Sequence, residues 1–184
     1  QQPIFMASIS PGGLRCAAEI ADGVLLSFID PGDTEEIVDR HLAEGFAKEG
    51  ARCRREDFTV STFVSVVVHD NVDEVVAMMQ PGLARQLGGM GSKSKNVYAE
   101  FAKRMGYEAE VENIQQLYLD GEKDQAAAAV PGDLIERTNL IGPKERIRER
   151  LHDWKAAEAR GSLDMMLLTN TQPEAINLLA EELL

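Results

Sequence analysis

Short, nearly continuous apolar runs alternate along this chain with stretches whose apolar residues recur at three- and four-residue spacing. The run at residues 3–9 (PIFMASI), closed by Pro11-Gly12-Gly13, has the length of a buried strand, and residues 14–21 then take helical spacing. Asp22-Gly23 turns the chain into a second apolar run, 24–29 (VLLSFI). Residues 34–48 set Ile37, Val38, His41, Leu42, Gly45 and Phe46 on one helical stripe with acids in its first turn, and Gly50 ends it. The Val-, Thr- and Phe-rich run 58–68 is the third strand. Pro143 opens a helix with Ile147, Leu151, Trp154 and Ala157 on one stripe and Gly161 as its stop. Residues 163–168 (LDMMLL) form the fourth strand and 172–184 the last helix.

Strand and helix thus alternate four times with no hairpin signal between strands. This predicts parallel strands joined by crossovers, in an open doubly wound α/β sheet or in part of a (β/α)8 barrel. The first strand-to-helix turn lacks G-x-G-x-x-G, which removes the main signature of the dinucleotide-binding open sheet. About seventy residues separate the third strand from the Pro143 helix, far more than a βα loop needs. Helical spacing recurs there at 71–87, with a break at Pro81-Gly82, then at 97–105 and 109–119, followed by an alanine-rich turn and a short helix after Pro131. The expectation is one domain over 1–184 carrying a helical insertion at 71–142.

Composition narrows the classes of function. A chain of 184 residues with 44% apolar content is long enough to bury a core as one domain. Its formal charge of −12, with the basic residues scattered among acids, argues against a nucleic-acid partner. No apolar run reaches membrane-spanning length and no signal-peptide pattern opens the chain, so a cytoplasmic protein without a membrane partner is expected. Cys16 and Cys53 lack C-x-x-C spacing, and His41, His69 and His152 lack zinc-ligand spacing, so neither a disulfide nor a metal is expected. The first strand-like run begins almost at residue 1 with no initiating methionine, which suggests that the beginning of the original protein is missing.

In parallel α/β folds ligands gather at the carboxyl ends of the strands, which selects four short stretches. At "SISPGGL", Ser10 has the position of an N-cap with Pro11 first in the helix, and Gly12 and Gly13 leave backbone N–H groups uncovered at its positive end. The pattern suits either a simple cap or an anion site. His69, at the end of the third strand, is a candidate general acid or base, or equally a strand-end turn former. The stretch "LGGMGSKSKN" imitates a phosphate loop but places Ser92 where the P-loop lysine belongs and follows a helix rather than a strand, so it is not read as a triphosphate site.

Four segments carry a family resemblance: "PIFMASISPGGLRCAAEIADGVLL", "GGMGSKSKNVYAEFAKRMGYE", "DQAAAAVPGDLIE" and "LIGPKERIRERLHDWKAA". In this order they resemble the C-terminal half of luciferase-like monooxygenase class oxidoreductases, most closely the branch that uses the deazaflavin coenzyme F-420. The resemblance implies a (β/α)8 TIM barrel of which this chain supplies strands five to eight, with the helical insertion after its third strand. It implies a hydride-transferring oxidoreductase acting on a small organic substrate, with coenzyme F-420 bound, or FMN as the alternative, since Ser8-x-Ser10 departs from the A-x-G-P common in the deazaflavin branch. Ser8, Ile9, Ser10, Gly12 and Gly13 would then receive the phosphate end of the coenzyme. Lys93 and Lys95, near the barrel mouth, are further candidates for its anionic tail, and the glycines of that loop would permit movement or close approach over it. The strands that supply the rest of the ring pocket are not in this sequence, and no catalytic residue beyond the candidate His69 is assigned. Such a half barrel would form a homodimer or pair with a missing N-terminal half; a non-catalytic binding or structural module that dimerises is the alternative reading.

Overall fold

The apolar runs become strands and the periodic stretches become helices in a computed structural model of the protein, which describes residues 2–91, 95–170 and 172–184. The strands are β1 (Phe5–Ala7), β2 (Gly23–Ser27), β3 (Thr59–Val64), β4 (Val66–Val68), β5 (Leu140–Gly142) and β6 (Met165–Leu168). The helices are α1 (Pro11–Ile20), α2 (Arg40–Phe46), α3 (Val72–Gly89), α4 (Val97–Arg104), α5 (Glu108–Leu119), α6 (Lys123–Ala128), α7 (Gly132–Thr138), α8 (Lys144–Ala159) and α9 (Pro173–Leu183), and a π-helical turn Glu35–Asp39 leads into α2. Two compact units result, one formed by Gln1–Asp70 with Thr138–Leu184, the other by Asn71–Arg137.

In the first unit β1, β2, β3 and β6 form one sheet in that order, every pair parallel. On one face Val24, Leu26, Val60 and Val64 are shut off from water, as are Leu14, Ala17 and Ala18 of α1 and Leu42 of α2. Each large side chain of this set contributes roughly 1.5–3 kcal/mol by leaving water. A Cβ at Gly45 would lie 2.4 Å from the Arg15 carbonyl oxygen, so α1 and α2 meet almost backbone to backbone there. The opposite face differs: Phe5, Phe63 and Met165 are 42%, 43% and 47% exposed. Alternation along each strand puts them on the side away from the valine core.

The run 58–68, read from sequence as one strand, is two. Beyond Val64 the chain changes partner: Ser65 N–H donates to Asn139 Oδ1 at 3.1 Å, and β4 pairs in parallel with β5. A three-residue strand carries too few positions for period-2 alternation to show, and β5 was absent from the sequence reading for that reason.

In the second unit α3 runs unbroken through Pro81, contrary to the expected break at Pro81-Gly82. Its buried face, Val75, Val76, Leu83, Ala84 and Leu87, spans the proline on both sides, so packing outweighs one missing backbone hydrogen bond. Gly88 and Gly89 end the helix beneath Tyr118 of α5: an added Cβ would lie 2.5 Å from the Tyr118 side chain at either position. Asn96 then caps α4, accepting from the N–H groups of Tyr98 and Ala99 while its amide donates to the carbonyls of Gln86 (2.7 Å) and Leu87 (2.8 Å).

Candidate functional site

The turn from β1 into α1 is built from its serines. Ser8 N–H donates to Leu25 O at 3.1 Å, carrying the β1–β2 ladder one residue past the strand. Ile9, only 4% exposed, pins the turn to the core. Ser10, extended at φ −85° and ψ 147°, is the N-cap: its Oγ accepts from Gly13 N–H at 3.1 Å, and Pro11 follows as the first helical residue. Ser8 Oγ accepts from Ser10 N–H at 3.3 Å and lies 3.3 Å from Ser10 Oγ. The two hydroxyl groups hold two protons, and their mutual contact uses one, which leaves the other free to donate outward.

The glycines have separate reasons. A Cβ at Gly13 would stand 1.9 Å from Ser8 Oγ, so the hydroxyl pair fits only above a bare backbone. A Cβ at Gly12 would meet nothing within 4 Å, and Gly12 is exposed. Open space therefore lies above the second residue of a ten-residue helix, where the first-turn N–H groups and the helix dipole favour a negative charge. A hydroxyl donor, an open approach and a positive helix end fit a phosphate monoanion or dianion.

The other strand ends carry different features. His69 N–H donates to Gly142 O at 3.1 Å, so the residue prolongs the β4–β5 ladder, and its ring is half-buried. Thr169 N–H donates to Val64 O at 3.0 Å, and Thr169 Oγ1 lies 2.7 Å from Ser65 Oγ. Lys93 lies outside the described residues; Lys95 is exposed and belongs to the unit Asn71–Arg137. Among the described residues no set of three or more His, Cys, Asp or Glu side chains gathers as a metal site, and no helix is long and apolar enough to cross a membrane. Burial pushes the Cys53 thiol up from its ordinary range, and its Sγ donates to Ala21 O at 3.3 Å, so it stays a protonated structural group.

With this geometry in place, comparison with known proteins assigns the lineage. The sequence pattern described as luciferase-like monooxygenase matches residues 1–161. The chain belongs to the luciferase-like monooxygenase family. A Mycobacterium tuberculosis protein named as a coenzyme F-420-dependent oxidoreductase is 34% identical over 178 residues, which are 97% of this chain and 50% of that protein. The 5,10-methylenetetrahydromethanopterin reductase of Methanopyrus kandleri is 27% identical over 152 residues, 82% of this chain and 41% of the reductase. Among solved structures, the coenzyme F-420-dependent tetrahydromethanopterin reductase from the same organism superposes with a TM-score of 0.69 at 23% identity, covering 98% of this chain and 49% of that one. An F-420-dependent secondary alcohol dehydrogenase superposes at 0.67 with 15% identity, covering 100% and 48%. The chain thus spans half or less of the length of these relatives.

Two features of this luciferase-like chain escaped the sequence reading. Phe28, just past β2, has φ +64°, the one non-glycine residue among those described with a left-handed backbone. A bulky residue in that region is strained by roughly 1–2 kcal/mol, and nothing in "SFIDPG" advertises it. The second is a pair of side-chain amides that replaces a strand. Asn170 accepts from Val66 N–H at 3.0 Å and donates to Val66 O at 2.7 Å; Gln172 does the same to Val68 at 2.8 and 3.0 Å. Alternate Asn and Gln two residues apart are a weak sequence signal, because the partner edge exists only once β4 has left β3.

Proposed function

We propose that this chain is the strand-five-to-eight half of a (β/α)8 barrel, with residues 71–142 as its helical insertion, in an oxidoreductase that binds coenzyme F-420 and acts on a small organic substrate. The observation that carries the reading is the β1–α1 turn: two serine hydroxyls over Gly13, and open space above Gly12 at a helix N-terminus. The names of the relatives in the family support the choice of coenzyme.

In this reading Ser10 Oγ and Ser8 Oγ share one proton between them and turn the second to the coenzyme's phosphate, while Gly12 N–H and the α1 dipole supply the remaining attraction. Ile9 holds the turn rigid from below. His69, at the end of β4, is the candidate proton donor or acceptor. When bound, the coenzyme supplies the hydride chemistry; this chain binds and orients it. The ring pocket needs four further strands, from a second copy or from an N-terminal half of the same kind.

Fluorescence titration of the purified protein with coenzyme F-420, with FMN as competitor, tests the assignment. Saturable F-420 binding that excess FMN fails to displace is the expected result. Displacement by FMN would move the protein to the flavin side of the family, and absence of binding to either would sink the coenzyme reading.

A further inference from the structure

Polarity changes along the inner face of the sheet, the side opposite the valine core. None of the strands β1 (FMA), β2 (GVLLS), β3 (TVSTFV) and β6 (MMLL) contains an ionisable residue. The β3–β6 register sets Ser61 beside Met165 and Phe63 beside Leu167 on this face. One step further, at the carboxyl end, Ser65 meets Thr169. The Ser61 hydroxyl is spent on the Val24 carbonyl at 2.8 Å, whereas those of Ser65 and Thr169 lie 2.7 Å from each other. Thr169 Oγ1 is also 3.4 Å from Val64 O, beyond the ordinary range of an O–H···O bond. Strand pairing does not require this hydroxyl contact, because Thr169 N–H already donates to Val64 O at 3.0 Å.

We infer that the Ser65–Thr169 pair binds an uncharged oxygen, the hydroxyl or carbonyl group of an otherwise apolar organic molecule. Two hydroxyl groups carry two protons, and their mutual bond uses one. The pair therefore keeps one O–H to donate and lone pairs to accept, and rotating the hydroxyls exchanges these roles without moving a heavy atom. An alcohol, which can donate, and a ketone or aldehyde, which only accepts, are both served. A carboxylate or phosphate is not: on this face it would leave water for a place beside Phe63 and Leu167, with no cation on any of the four strands to offset the lost hydration. The first ionisable side chain past Ser65 is His69, beyond β4. The carboxyl end of the sheet thus carries two kinds of site at opposite ends of its strand order, one after β1 that favours negative charge and one between β3 and β6 that favours a neutral group. This inference names the substrate class within the proposed function and rests on that reading's placement of ligands at this end, not on the identity of the coenzyme.

The test titrates the 184-residue chain with cyclohexanol, cyclohexanone and cyclohexanecarboxylate, three probes sharing one ring, and follows backbone amide chemical shifts. The alcohol and the ketone should shift the Ser65 and Thr169 amides saturably, each with a Kd at least about tenfold lower than that of the carboxylate. The double variant Ser65→Ala, Thr169→Val should lose about three- to tenfold in affinity for cyclohexanol, the share of one neutral hydrogen bond, and keep its affinity for coenzyme F-420. Equal affinity for the carboxylate overturns the proposal, as does a double variant that binds cyclohexanol as the wild type does. Should the variant fail to fold, the wild-type spectra decide: a titration that leaves the Ser65 and Thr169 amides unmoved also overturns it. F-420 binding without shifts at the pair would spare the coenzyme reading and remove this one; shifts at the pair without F-420 binding would do the reverse.

Discussion

Gly12→Glu separates cap from anion site, because both readings expect a gain in stability and only the anion site expects a loss of affinity. Gly12 has no left-handed backbone and its added Cβ meets open space, so glutamate enters without strain. Replacing glycine by a good helix former in the first turn, with its charge beside the positive helix end, should stabilise the unit by about 1 kcal/mol. For a chain of this size that is a rise of roughly 2–4 °C in Tm. A carboxylate about 4 Å from a bound phosphate, at the effective dielectric of a protein surface, costs about 4 kcal/mol per unit charge. Affinity for coenzyme F-420 should therefore fall about a thousandfold, and part of that loss should return as salt rises. Gly12→Gln is the control: it keeps most of the stability gain and loses only what the side chain obstructs. Thermal melts and fluorescence titrations on the three proteins give both quantities. A glutamate variant that melts higher and binds F-420 as tightly as the wild type would refute the placement of the phosphate and leave Ser10 as a cap alone.

Three other outcomes follow from the packing. Gly89→Ala should cost about 1–3 kcal/mol in chemical denaturation through its clash with the Tyr118 ring, and much less in a Tyr118→Ala background. Asn170→Ala removes both hydrogen bonds to Val66 and should speed exchange of the Val66 amide while leaving the β2–β3 amides unchanged. Burial raises the Asp39 carboxyl above its ordinary 3.8, even though Ser162 Oγ donates to it at 2.5 Å. An acid raised in the folded state contributes stability in its protonated form, fully present below pH 3.8 and lost as pH rises through the folded value. Asp39→Asn should therefore melt higher than the wild type at pH 7, and the advantage should vanish as the pH is lowered toward 3.8.

What the sequence disclosed and what it hid divide along physical lines. The four principal strands were readable because burial on at least one face forces long apolar runs, and VLLS or TVSTFV admits little else. Ser10-Pro11-Gly12-Gly13 was readable because capping is local chemistry, complete within four residues. The role of Gly13 was not, since it depends on the Ser8 hydroxyl folding back across it. "LGGMGSKSKN" suggested mobility or close approach over a coenzyme, yet Gly88 and Gly89 are needed for Tyr118, a residue far away in sequence. Pro81 misled in the same way: propensity is local, while the buried stripe that overrides it runs the length of α3.

The two ends of the sheet are built for different purposes. At the amino ends carboxylates fasten neighbouring strands: Asp22 accepts from Ile4 N–H at 2.7 Å and from Arg52, and Asp164 accepts from Val60 N–H at 2.7 Å and from Arg55 at 3.0 Å. The Arg52 partnership holds the Asp22 carboxyl below its ordinary range, so this fastening is lost only as pH falls below that range. At the carboxyl ends the same strands end in a strained Phe28, an open Gly12 and side-chain amides standing where a strand would otherwise lie. Interposing an Asn or Gln side chain between β4 and the segment after β6 sets the two backbones farther apart than the spacing of about 4.8 Å in a continuous ladder. The sheet is thereby tied at one end and spread at the other. Backbone strain persists only where surrounding structure compensates for it. The strained Phe28 and the open Gly12 at the end where parallel α/β folds bind ligands are therefore the strongest physical reason to look for chemistry there.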